Sequence, residues 1–179
     1  MSKELELKLK AGDPAPEFSA ATNGGGKVSL ADLRGKDVVL YFYPRDDTPG
    51  CTKEACAFRD QFAEFKKSGA VVLGVSTDPV KSHDKFVAKF KLPFLLLADE
   101  DKKIVAAYGV WGEKTFMGRK YQGTHRVTFL IGSDGRIKKI WPQCFVKTTD
   151  SSDSQDWSST WLLRNTHQRL VTRMLPGEL

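Results

Sequence analysis

The chain has 179 residues, 40% of them hydrophobic and 28% charged, enough for one compact domain with a full core and unlike a disordered or fibrous polypeptide. Its formal net charge of +6 comes from lysines interspersed with acids (Lys66, Lys67, Lys81, Lys85, Lys89, Lys102, Lys103), so solvated faces are expected in place of a nucleic-acid-binding stripe. No export signal and no membrane-spanning run is read, and an odd number of cysteines, three, fits a reducing cytoplasm where thiols react and do not staple.

Residues 1–12 alternate charge with leucine and are expected as a strand or arm, leading into the extended run Gly12-Asp13-Pro14-Ala15-Pro16-Glu17-Phe18. Gly24-Gly25-Gly26 reads as a hairpin-like tip, because no strand-to-helix context marks it as a phosphate loop. Residues 29–35 read as a short capped helical turn. The continuous apolar run 38–43 is a buried strand, ended by Pro44, which has no donor for a ladder.

After a loop, Thr48-Pro49 pairs a side-chain oxygen able to cap a helix with proline at the first helical position. Cys51, Ala55, Phe58, Phe62 and Phe65 then recur at four, three, four and three, one stripe of an amphipathic helix that stops near Ser68-Gly69. Cys51 falls on the buried side of the first turn, where free N–H groups and the helix dipole favour a thiolate over a thiol. That points to a positioned nucleophile; the alternative is a cysteine serving as a small buried hydrophobe.

Cys56 follows five residues later. On an intact helix the two Cα atoms would lie about 8.7 Å apart. A disulfide reaches only to about 7 Å, so any bond between these sulfurs requires the first turns to unwind. The four intervening residues also differ from the two of a thioredoxin-type redox pair.

A second apolar run, 70–76, completes a strand-helix-strand unit with parallel strands, placing the thiol beyond the carboxyl end of a strand. Asp78-Pro79 repeats the cap-then-proline signal and opens a helix to about residue 90, with Phe86, Val87 and Phe90 inward and His83 read as an exposed polar residue. Residues 94–97 are a third strand, and 99–108 a helix closed by Gly109. Residues 126–131 and 136–141, joined by Gly132-Ser133-Asp134-Gly135, form an antiparallel hairpin. A parallel unit followed by such a hairpin is the pattern of an α/β, thioredoxin-like fold with a central mixed β-sheet flanked by helices.

The run Pro44-Arg45-Asp46-Asp47-Thr48-Pro49-Gly50-Cys51 closely resembles the peroxidatic loop of peroxiredoxins: proline, three residues, threonine, two residues, cysteine. With Cys56 five positions on, the chain is similar to the bacterioferritin comigratory protein (PrxQ) subfamily. Further similarity lies at Val110-Trp111-Gly112-Glu113-Lys114-Thr115-Phe116-Met117-Gly118 and at Gly123-Thr124-His125-Arg126-Val127-Thr128-Phe129-Leu130-Ile131.

The resemblance implies a thiol-dependent peroxidase acting on hydrogen peroxide and organic hydroperoxides. Cys51 would be the peroxidatic cysteine and Cys56 its resolving partner in an intramolecular disulfide, with thioredoxin as reductant. By the same resemblance Thr48 orients the peroxide, Arg126 holds the thiolate and the developing charge, and Pro44 shields the sulfur from water. His125 matches a family position without a chemical role. No metal or organic cofactor is implied, no nucleic acid or membrane is an expected partner, and a monomer or weak dimer in the cytoplasm is expected.

The rival enzyme class is a protein thiol-disulfide oxidoreductase, which would be indifferent to peroxide. The non-enzymatic rival is a binding protein using a thiolate zinc site or the basic surface; zinc needs about four ligands, and Cys51 and Cys56 have only distant histidines for company. The domain is placed at residues 1–142. Residues 143–179, where the composition turns polar and serine-rich, read as a divergent tail that could form a helix over 159–174; Cys144 lies there as a thiol without a role.

Overall fold

The computed structural model describes residues 7–142. In chain order they form β1 (Ser19–Thr22), β2 (Lys27–Ser29), β3 (Val38–Phe42), α1 (Pro49–Asp60), α2 (Phe62–Lys67), β4 (Val71–Ser76), α3 (Val80–Phe90), β5 (Leu95–Ala98), α4 (Lys103–Ala107), β6 (Trp111–Phe116), β7 (Arg119–Thr124), β8 (Val127–Ile131) and β9 (Ile137–Trp141). Seven strands make one sheet in the order β2-β1-β5-β4-β3-β8-β9, while β6 and β7 pair separately.

All five residues of β3 are buried. Val38, Leu40 and Phe42 pack into one core with Ile104, Val105, Tyr108 and Phe129; Val39 and Tyr41 pack into a second with Cys51, Ala55, Phe58, Phe65 and Phe86. Helices α1, α2 and α3 thus cover one face and α4 the other, so the strand reads as an unbroken apolar run instead of an alternation. β3 runs parallel to β4, β4 parallel to β5, and β3 antiparallel to β8. This is the central mixed sheet flanked by helices that the sequence implied.

Several boundaries differ from the sequence reading. The stripe from Cys51 to Phe65 spans two helices, since α1 ends at Asp60 and Gln61 (φ −99°, ψ 2°) separates it from α2. The Phe58 and Phe65 rings nevertheless stay 6.0 Å apart in one core. Residues 7–12 form no strand; Gly12 N–H instead donates to Ile137 O at 2.8 Å, laying this segment beside β9. Asp78 does not cap α3, because its carboxylate accepts from Asp46 N–H and Ser76 Oγ, both at 2.8 Å; Pro79 is the cap. The helix expected over 99–108 is only α4, capped from a distance by Asp99, whose oxygens accept from Ile104 N–H (3.1 Å) and Val105 N–H (2.8 Å).

The β6–β7 hairpin was not legible as secondary structure. Its strands carry few buried residues, so no apolar period marks them, and its turn is Met117-Gly118, both at positive φ. The glycine tip at 24–26, the capped turn after Ser29 and the β8–β9 hairpin stand as expected. Cys144 and the tail 143–179 lie outside the described residues.

Candidate active site

β3 leaves the sheet at Phe42, whose register partner is Val127, the first residue of β8. Arg126 therefore stands at the sheet end from which the chain departs toward α1. Partly buried Pro44 turns the chain out of the sheet, and Asp47 follows at φ 54°, a left-handed conformation that aspartate tolerates better than most residues. Thr48 is in extended conformation (φ −94°, ψ 150°) and starts α1 by its carbonyl, which accepts from Thr52 N–H at 2.8 Å. Its side chain does not cap the helix as expected: Oγ1 donates to Arg45 O at 3.1 Å.

With Pro49 as the first helical residue, Cys51 is the third, in the turn where backbone N–H groups lack intrahelical acceptors. The side chain is 1% exposed and reduced, as is the half-buried Cys56. Arg126 Nη2 lies 3.0 Å from Cys51 Sγ, and Nη1 lies 2.8 Å from Glu54 Oε2. Glu54 is one turn beyond Cys51 and 1% exposed, so its carboxylate fixes the guanidinium against the sulfur. Nη2 is thus a charged donor aimed at the Cys51 sulfur.

Gly50 leaves room for this contact. A Cβ there would stand 2.8 Å from Arg126 Nη2. In the core that holds Cys51, Tyr41 stacks on Phe58 with centroids 4.6 Å apart. Burial, followed by the charge of Glu54, pushes its phenol well above its usual value, so Tyr41 is a neutral neighbour of the thiol. Lys114 of β6 donates to Thr124 O at 3.0 Å; burial and then the charge of Arg126 push its ammonium down. Burial and then Lys114 likewise push His125 down.

His83 is wholly buried, contrary to the expectation of an exposed residue. Its Nδ1 lies 2.8 Å from Asp46 Oδ2 and its Nε2 3.1 Å from Leu97 O, while Tyr43 OH donates to Asp46 Oδ1 at 2.7 Å. Burial pushes the Asp46 carboxyl up, but the hydrogen bond and charge of His83 and the hydrogen bond of Tyr43 outweigh it and hold the group below its usual range.

The structure therefore brings Arg126 into contact with Cys51, makes Thr48 the N-cap of the helix that carries Cys51 and Cys56, and sets Pro44 just after β3 at the head of the intervening loop. Sequence reasoning missed Glu54, Lys114 and the Asp46–His83 pair. One signal was available for His83: it falls on the same helical stripe as Phe86, Val87 and Phe90, where a polar residue is buried and needs partners. Among the described residues no group of three His, Cys, Asp or Glu side chains is placed to hold a metal ion.

Residues 11–140 match the model of the AhpC/TSA family. Among curated proteins, the chain is 50% identical over 137 residues to a putative peroxiredoxin bcp of Coxiella burnetii, covering 76% of this chain and 91% of that one. It is 48% identical over 145 residues to peroxiredoxin Bcp of Escherichia coli K12, covering 81% and 92%. Among solved structures, a cysteine-to-serine mutant of Xylella fastidiosa PrxQ superposes with a TM-score of 0.76 at 33% identity, covering 90% of this chain and 98% of that one. The bacterioferritin comigratory protein of Xanthomonas campestris, described through trapped intermediate and ligand complexes of its alkyl peroxide reduction, gives 0.73 at 33% identity, with 91% and 99% covered.

Proposed function

The chain belongs to the AhpC/TSA family and is a peroxiredoxin, a thiol-dependent peroxidase, and from that premise we propose that Cys51 is its peroxidatic nucleophile and Cys56 its resolving cysteine. The observation that carries this reading is the 3.0 Å contact between Arg126 Nη2 and a buried thiol in the first turn of a helix.

In this reading the Cys51 thiolate attacks the terminal oxygen of hydrogen peroxide or an organic hydroperoxide. A sulfur–oxygen bond forms, the O–O bond breaks, and the departing hydroxide or alkoxide takes up a proton, leaving a sulfenic acid on Cys51. Arg126 stabilises the thiolate before attack and the negative charge on the departing oxygen after it. Thr48 has spent its one O–H on Arg45 O, so its free lone pairs can accept from the peroxide O–H and orient it. Pro44, with no N–H to offer water, shields the sulfur.

Cys56 then attacks the Cys51 sulfur. The S–S bond forms, the S–O bond breaks and water leaves. A dithiol exchanges with that disulfide and restores both thiols; thioredoxin is the proposed reductant. We place the enzyme in the cytoplasm as a monomer or weak dimer, built on a domain of residues 1–142, with no nucleic acid or membrane partner. No helix among the described residues is long and apolar enough to cross a membrane.

Peroxide consumption with a thioredoxin-reducing system tests this reading. Cys51→Ser should abolish turnover, because an alcohol cannot replace the thiolate at neutral pH. Cys56→Ser should still react once and then stall, trappable with a sulfenic-acid reagent. Substantial turnover by Cys51→Ser, or no adduct in Cys56→Ser, would overturn the two assignments respectively.

A further inference from the structure

The Asp46 cluster has no part in the chemistry above, yet it holds the loop that delivers Cys51. Asp46 is gripped at both ends of the residue. Its carboxylate accepts from Tyr43 OH at 2.7 Å and faces His83 Nδ1 at 2.8 Å, and its backbone N–H donates to Asp78 Oδ2 at 2.8 Å. His83 comes from α3 and is tied in turn to Leu97 O of β5 at 3.1 Å. Each ring nitrogen thus has an oxygen within hydrogen-bond distance. Tyr43 and His83 are 0% exposed and Asp46 7%.

The position of this cluster in the chain matters more than its burial. Asp47, next along, has positive φ, and α1 opens two residues later. Residues 47–53 therefore lie between two anchors: the Asp46 cluster before them and the Arg126–Glu54 pair after Cys51. Disulfide formation with Cys56 has to unwind this segment, since a disulfide cannot close over an intact α1. What grips its upstream end resists that unwinding.

We propose that His83 is a positioning residue for the peroxidase reaction: through Asp46 it holds the loop and the start of α1 so that Cys51 faces Arg126, and so sets how long the sulfenic acid stays in its pocket. The inference rests on the roles proposed for Cys51 and Cys56. A sulfenic acid that leaves the pocket is attacked by Cys56, with loss of water. One that stays can meet a second hydroperoxide: the sulfur gains a second oxygen, the O–O bond breaks, water or an alcohol leaves, and the product is a sulfinic acid. His83 thus favours attack on the first peroxide at the expense of resolution.

The test uses His83→Leu and Asp46→Asn in the full chain, with rapid-quench measurement of peroxide attack and disulfide formation and mass measurement of sulfinic acid under excess peroxide. Relative to the unaltered protein, His83→Leu should slow attack and speed disulfide formation, each by roughly tenfold, the low end for one hydrogen bond to a charged group. The sulfinic share should fall. A purely structural role would slow both steps together or change neither, and either outcome overturns the inference. If His83→Leu does not fold, Asp46→Asn decides by the same opposite-direction criterion, since it keeps an acceptor for Tyr43 and the backbone bond to Asp78. Absence of a disulfide between Cys51 and Cys56 in the unaltered protein would instead overturn the roles of the cysteines; its presence, with variants matching the unaltered rates, overturns only the role of His83.

Discussion

Arg126 touches Cys51 and Glu54 at once: one nitrogen of its guanidinium lies 3.0 Å from the Cys51 sulfur and another 2.8 Å from Glu54 Oε2, one turn further along α1. Two parallel donors aimed at neighbours on one helix face are something a planar guanidinium provides and an ammonium does not.

Arg126→Lys is therefore the informative variant. It keeps a positive charge near the buried Glu54, whereas truncation to alanine would break a buried ion pair, a change that typically costs about 3–5 kcal/mol, and would confuse stability with reactivity. The rate constant for peroxide attack should fall about a hundredfold in Arg126→Lys, as when one preorganised donor is removed from a developing oxyanion. Stopped-flow kinetics at limiting peroxide measures this. An unchanged rate constant would mean that charge alone, not the fork, matters.

Gly50 tests the same contact from the helix side. Its backbone does not require glycine, but an added Cβ would stand 2.8 Å from Arg126 Nη2. Glu54 holds that end of Arg126, so it can swing aside only by loosening a buried ion pair, and Gly50→Ala should fold but lose stability, because the gain in helix propensity of up to about 1 kcal/mol is smaller than the cost of disturbing that pair. Swinging aside takes Nη2 off the Cys51 sulfur. Thermal unfolding and peroxide kinetics on the same sample should show a lower Tm together with at least roughly tenfold slower attack. Faster or equal attack would sink the claim that the contact must be kept.

The pH dependence of stability should carry the mark of Asp46. Its folded-state pKa is held below the unfolded value of about 3.9 by His83 and Tyr43, despite burial. A depressed carboxyl contributes stability that is fully present above the unfolded pKa and lost as pH falls through the folded one. The Tm gap between the unaltered protein and Asp46→Asn should thus be steady from about pH 5 to 7 and close below about pH 4. A gap that stays constant down to pH 2 would show that the carboxylate charge is not what stabilises the loop.

Much of this site is legible in the amino-acid sequence. Pro44, Thr48, Pro49 and Cys51 are local signals, because strand end, helix start and thiol position follow from a few adjacent residues. Arg126 was reached only through resemblance, since its approach to Cys51 depends on β8 pairing with β3, a relation between residues 75 apart in sequence. Glu54 was missed and His83 misjudged for a shared reason. Each is a polar residue whose buried partner comes from elsewhere in the chain, and helical spacing tells which face a residue occupies but not what waits there. The β6–β7 hairpin escaped because its mostly exposed strands carry no apolar period.

The last prediction concerns the motion that the reaction demands. Cys51 and Cys56 both lie within α1, which runs without a break from Pro49 to Asp60. Helical geometry puts their Cα atoms about 8.7 Å apart, and a disulfide needs them within about 7 Å. Oxidation must therefore strip backbone hydrogen bonds from the first turns and draw Cys51 away from Arg126. Amide exchange across residues 50–58 should speed up in the disulfide form, while β4, buried between β3 and β5, stays protected. The break at Gln61 adds a boundary: α2, which has its own contact with the core through Phe65, should keep its protection, so the change should stop near residue 60. Equal protection in the reduced and oxidised forms would remove Cys56 as the partner of Cys51. Loss that spreads through α2 and β4 would instead mean that oxidation loosens the whole helical face, and that the hinge is not confined to the start of α1.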